Sequence, residues 1–160
     1  MNINANIKVK TLRAYKLVAD KARSCKSELP VLNNPQATYD FLMAKVYDPL
    51  EIDVVESFYV LFLSAGNAVK GYIKVSSGGV NAVIADPKVI FCAALKCLAS
   101  GIIITHNHPS GNPRPSEDDR KLTKKLSEAA KMLDIVLIDH IVVSPGRYHS
   151  FREHGELTFN

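Results

Sequence analysis

The passage from Ile102-Ile103-Ile104-Thr105 into His106-Asn107-His108-Pro109-Ser110-Gly111-Asn112-Pro113-Arg114-Pro115 does most to limit the folds open to this chain. A β-branched apolar run this short, bounded by Gly101 and by a loop of Pro, Gly and Asn, reads as a buried strand. Ser116 then offers a helix cap, and Leu122, Leu126, Ala129, Ala130 and Leu133 form one helical face. Ile135 to Val143 is a further buried strand, Pro145-Gly146 a turn, and Tyr148 to Phe151 a short last strand. Upstream, Val54 to Leu63, Val69 to Val75 and Val80 to Ala85 read as three strands joined by Gly66-Asn67 and Gly78-Gly79 turns. Asp86-Pro87 opens a helix to about Ser100, with Gly101 as its left-handed terminator. Pro35 opens another, over about 35–47. Strands and helices in this order predict an α/β fold, a mixed β-sheet flanked by helices.

The 160 residues suffice for one core without staples. Cys25, Cys92 and Cys97 form no Cys-x-x-Cys pair and are expected as reduced thiols, the last two as small core residues. No apolar run approaches the roughly 20 residues of a membrane span, and the first residues lack a secretory pattern, so a cytoplasmic protein is expected. Charge is uneven: residues 1–26 carry seven Lys or Arg against Asp20, leaving 13 basic and 15 acidic residues elsewhere. Within that arm Leu12, Tyr15, Val18, Ala19 and Ala22 mark an amphipathic helix over 11–23. We therefore divide the chain into a basic helical arm, 1–50, and a domain, 51–160. The arm can meet DNA phosphate or simply present a solvated face, and the latter is the commoner use of such a helix. No stretch marks an oligomer interface.

Two histidines two apart at a strand exit can turn both imidazoles to one point. A carboxylate from the following helix, such as Asp119, completes three ligands and leaves a fourth position for water, the arrangement of a catalytic rather than a structural zinc. The same residues also have a plainer account. His106 and His108 can bond loop backbone, and Ser116 with Asp119 three residues on resembles a capping box. Both accounts stand on the residues alone, although a strand end, a Gly/Pro loop and a helix start converge where α/β sheets usually place their sites.

The pattern His106-x-His108, seven residues, then Ser116-x-x-Asp119 resembles the JAMM (MPN+, JAB) metalloprotease motif. His106-Asn107-His108-Pro109-Ser110-Gly111 with Pro115-Ser116 is similar to the bacterial RadC branch of that family, as are Glu56-Ser57-Phe58, Ser77-Gly78-Gly79, Asp139-His140-Ile141 and Tyr148-His149-Ser150-Phe151. The likeness runs over about residues 50–157. It implies a JAB/MPN domain related to the cytidine deaminase fold. It also implies one Zn²⁺ held by His106, His108 and Asp119 with water as fourth ligand, Glu56 as general base, and Ser116 as hydrogen-bond donor to the oxyanion. The expected activity is zinc-dependent hydrolysis of a peptide or isopeptide bond in an unidentified peptide or protein. The alternative is a non-catalytic module of DNA repair or mobile elements that binds DNA or protein; the roughly 50 residues before the domain are not expected to form the helix-hairpin-helix region of longer RadC proteins. Asp139 and His140 either orient the metal ligands from behind or form a polar pair of their strand, the second being preferred, and His149 and His154 receive no role.

Other metal chemistries fit less well. A zinc deaminase needs His-x-Glu and Pro-Cys-x-x-Cys, and neither occurs. The iron facial triad also takes two His and a carboxylate, but its expected host is a jelly roll of many short strands. The letters His-Asn-His do not make an HNH nuclease, whose named residues are spread along a motif.

Overall fold

The computed structural model describes residues 30–78 and 85–157. Helix α1 (Pro35–Lys45) leads to strands β1 (Ser57–Leu63) and β2 (Val69–Ser77), helix α2 (Pro87–Lys96), β3 (Gly101–Asn107), helix α3 (Glu117–Met132), β4 (Val136–Ser144) and β5 (Arg147–Ser150). They form one five-stranded sheet of order β2-β1-β3-β4-β5. β3 and β4 run parallel and every other pair antiparallel, so the sheet is mixed as expected. The parallel pair needs a long crossover, and α3 supplies it.

All seven residues of β1 and all seven of β3 are buried, which is the signature of central strands covered on both faces. Alternation sorts their side chains. Phe58, Val60, Phe62, Ile102 and Ile104 pack with Ile90, Ala93 and Ala94 of α2 and Leu126 and Ala130 of α3. Tyr59, Leu61, Leu63 and Ile103 face the other way, onto Leu42 of α1 and Leu32, Val46, Tyr47 and Ile52. The result is a three-layer α/β/α body in which α1 is one layer. The amphipathic helix expected over 11–23 and the strand expected over 80–85 lie largely outside the described residues, with Ala85 itself buried.

Three local expectations change. β1 starts at Ser57 rather than Val54, because residues 48–55 wind into turns in which Ile52 N–H donates to Asp48 O and Val55 N–H to Glu51 O. α2 stops at Lys96, and Leu98 takes the left-handed conformation (φ 49°) assigned above to Gly101. Gly101 instead opens β3, where a Cβ would stand 2.5 Å from Ile138 Cδ1, so close approach explains the glycine. Cys92 is exposed, while Cys97 packs partly buried against the core and burial pushes its thiol upward. Among the described residues no helix is long and apolar enough to cross a membrane.

Candidate metal centre

The site lies where β3 ends and α3 begins. β3 carries His106 into the layer beneath α3, where its ring stacks 6.0 Å from Phe58. His108 follows two residues on, its N–H bound to Val143 O and its ring held by the loop. Asp119 enters from the first turn of α3, which Ser116 caps: Ser116 Oγ accepts from Asp119 N–H, and Asp119 Oδ2 accepts from Ser116 N–H at 2.7 Å and from its hydroxyl at 2.6 Å. The capping box and the ligand arrangement are therefore one structure, not rivals, since the cap orients the carboxylate.

His106, His108 and Asp119 each bring one ligand atom within 4.8 Å of the others. His106 Nε2 is 3.0 Å from His108 Nε2 and 3.2 Å from Asp119 Oδ1, and His108 Nε2 is 3.8 Å from Asp119 Oδ2. Nitrogen ligands about 2.0–2.1 Å from a tetrahedral ion stand roughly 3.3 Å apart, so the spacing suits a small cation.

Proton bookkeeping strengthens the fit. Thr123 gives its single O–H to Asp119 O at 2.6 Å, so toward His140 Nδ1, also at 2.6 Å, it can only accept. His140 therefore carries its proton on Nδ1. Complete burial, and then the repulsion of a charged His106, push its pKa well below the usual histidine value, so the ring is neutral and Nε2 is an acceptor. It receives Nδ1–H of His106 at 2.9 Å. His108 likewise donates Nδ1–H to Asn112 O at 2.9 Å. Both Nε2 atoms then face one another and an acid, where a cation would take their lone pairs in exchange for a proton. Burial would raise that acid, but His106 and the Ser116 donors outweigh it and hold Asp119 well below the usual carboxylate range. Two imidazole Nε2 atoms and a carboxylate converging on one point form a group that could hold a cation.

Thus four of the expected residues stand together, with Ser116 bonded to a ligand rather than free. Glu56 lies directly before β1, half-buried. The β1–β3 ladder closes at Phe58↔His106, two residues short of Glu56. Its carboxylate makes no hydrogen bond or ion pair among the described residues. The pair Asp139-His140 divides: His140 backs His106, whereas Asp139 receives Ser150 Oγ–H, Arg152 N–H and His140 N–H and braces the β5 turn. Sequence reading assigned no role to Thr123, and only its place four residues after Asp119, one helical turn on, could have drawn notice.

The α/β/α layering and a His-His-Asp group that could hold a metal ion, at the end of a buried strand, define an α/β domain of JAB type. Residues 32–156 match the family model described as RadC-like JAB domain. The chain is 40% identical to a UPF0758 protein of Aquifex aeolicus over 151 residues, 93% of this chain and 63% of that one. It is 39% identical to a UPF0758 protein of Symbiobacterium thermophilum, covering 79% and 53%, and 47% identical to one of Actinobacillus pleuropneumoniae, covering 65% and 47%. The chain thus spans about half to under two thirds of these relatives' length, and it belongs to the RadC-like JAB domain family.

Proposed function

We propose that the chain is a zinc-dependent hydrolase that opens a peptide or isopeptide bond. The convergence of two imidazole Nε2 atoms, each ring fixed by a bond at its own Nδ1, on the ionised Asp119 carries this reading. His106, His108 and Asp119 would hold the zinc; when bound, it lowers the pKa of water to about 7 and polarises the attacked carbonyl. Softer metals would favour thiolate ligands, which are absent from the group.

The protein's own groups supply the rest. Glu56, whose carboxylate makes no hydrogen bond or ion pair among the described residues, takes the proton of the attacking water and returns it to the leaving amine. Ser116 donates its hydroxyl to the developing oxyanion. In turning away from Asp119 it leaves that carboxylate anchored by the Ser116 N–H at 2.7 Å, so the ligand need not shift. The experiment is a screen of zinc-loaded wild type, Glu56→Gln and His108→Ala against peptides and lysine-linked isopeptides. Cleavage by wild type alone is the expected result; cleavage surviving in both variants would overturn the assignment.

A further inference from the structure

The tripeptide that carries the two histidines has a middle residue with different work. Alternation along β3 sends His106 toward α3 and Asn107 to the opposite layer, beneath the 48–55 turns. There the Asn107 side chain is fully buried. Its two amide N–H groups donate to Ile52 O at 2.7 Å and Val55 O at 2.8 Å, and its oxygen accepts Ser57 N–H at 2.8 Å. Those partners bracket Glu56 in sequence: a carbonyl just before it and an N–H just after it.

The neighbouring backbone shows why a side chain is needed there. β1 and β3 pair residue by residue only as far as Phe58↔His106, and His108 N–H turns instead to Val143 O on β4. The 48–55 turns end in carbonyls with no onward helix to satisfy them, and such groups need partners when buried. Asn107 fills both gaps at once. On the other side Gly78 N–H donates to Glu56 O at 3.0 Å, so the backbone of Glu56 is held from β2 and from β3 while its carboxylate makes no hydrogen bond among the described residues.

We infer that Asn107 is the positioning residue for Glu56, tying the backbone of the base to the two histidines so that ligands and base move as one piece. The inference rests on the reading of Glu56 as the base, but its structural half can be measured without metal or substrate.

The test uses the whole chain as wild type, Asn107→Ala and the isosteric Asn107→Asp. Tyr47→Phe serves as control, because it removes a different buried bond, Tyr47 Oη to Thr105 Oγ1, from the same layer. In metal-free protein, amide exchange followed by NMR should speed up about tenfold or more at Ser57 in Asn107→Ala, the scale of one lost buried hydrogen bond. Exchange at Ile104 and Ile141 should stay near wild type, and zinc affinity within about threefold. Asn107→Asp keeps an acceptor for Ser57 N–H but sets a carboxylate against two carbonyls, so its Ser57 amide should remain the better protected of the two variants. Tyr47→Phe should leave Ser57 unchanged.

With a cleaved substrate, Asn107→Ala should lower kcat at unchanged KM, and adding it to Glu56→Gln should cost nothing more. Unchanged exchange at Ser57, exchange that rises across the whole sheet, zinc affinity lost along with it, or additive losses in the double variant would each overturn the inference. Wild type that binds no zinc would instead sink the proposed hydrolase and leave the exchange result standing.

Discussion

Among the described residues two clusters join two histidines and a carboxylate, and only one gathers its atoms into a group that could hold a metal ion. At the end of β3, His106 and His108 meet with rings 62° apart and both Nε2 atoms turned to Asp119. Near the C-terminus, His149 and His154 stack nearly parallel at 3.9 Å, and their nitrogens diverge: His149 Nε2 to Glu156, His154 Nδ1 to Ser150 O. The chemical groups are the same, Asp119 in one and Glu156 in the other supplying the carboxylate, and the difference lies in the backing. In the first cluster a buried imidazole and a loop carbonyl take each Nδ1 and aim each Nε2 inward. In the second, each ring's bonded nitrogen is spent on its own partner, and Arg120 pairs with Glu156. Adjacent residues of β4 support the two: His140 stands behind His106, and Asp139 grips Ser150, whose carbonyl holds His154.

Removing ligands should break the comparison outright. His106→Ala and Asp119→Ala should each abolish zinc retention after dialysis against trace zinc, while His149→Ala and His154→Ala should each keep one zinc per chain by elemental analysis. Zinc kept by the first pair would end the assignment. Next in size, Asp139→Ala strands Ser150 Oγ–H and two N–H groups in a buried place, a loss of about 2–4 kcal/mol in urea unfolding with zinc affinity unchanged. A coupled fall in zinc affinity would show that β4 does not separate the clusters. The neighbouring His140→Phe should fold, since it fills the slot between Phe58 and Phe151, yet bind zinc about 10–100-fold more weakly in a chelator competition because His106 loses its orienting acceptor. Equal affinity would mean that the ring is packing alone.

How much of this was legible in the sequence follows the range of the forces involved. The strand Ile102–Thr105, the cap at Ser116 and the ligand spacing are local, so alternation and capping rules found them. The start of β1 was misplaced because it depends on the Asn107 side chain, about fifty residues away in sequence. The helix terminator was misread because a left-handed Leu98 defies propensity, and Gly101 answers instead to the side chain of Ile138 across the sheet. Asp139 and His140 looked like one polar pair; only the third dimension sends one to each cluster. Thr123 and Asn107 are common residue types whose roles rest entirely on which buried group faces them.

The smallest effect concerns the second cluster and pH. Burial, then the nearby His154 and Arg120 charges, push His149 down to about 4. The unfolded ring titrates near 6.5. Between those values the unfolded chain binds more protons, so stability rises with pH through the window and is lost as pH falls from about 6.5 toward 4. Glu156, 3.0 Å from His149 Nε2, pulls the other way, but its ion pair with Arg120 offsets that pull. Urea midpoints of wild type and His149→Phe, taken from pH 7.5 to pH 4.5, should therefore show the wild type losing ground to the variant as acid is added. If the wild type instead gains on it, Glu156 governs the ring and holds it charged, and the stacked pair is an ion-paired surface rather than a neutral one.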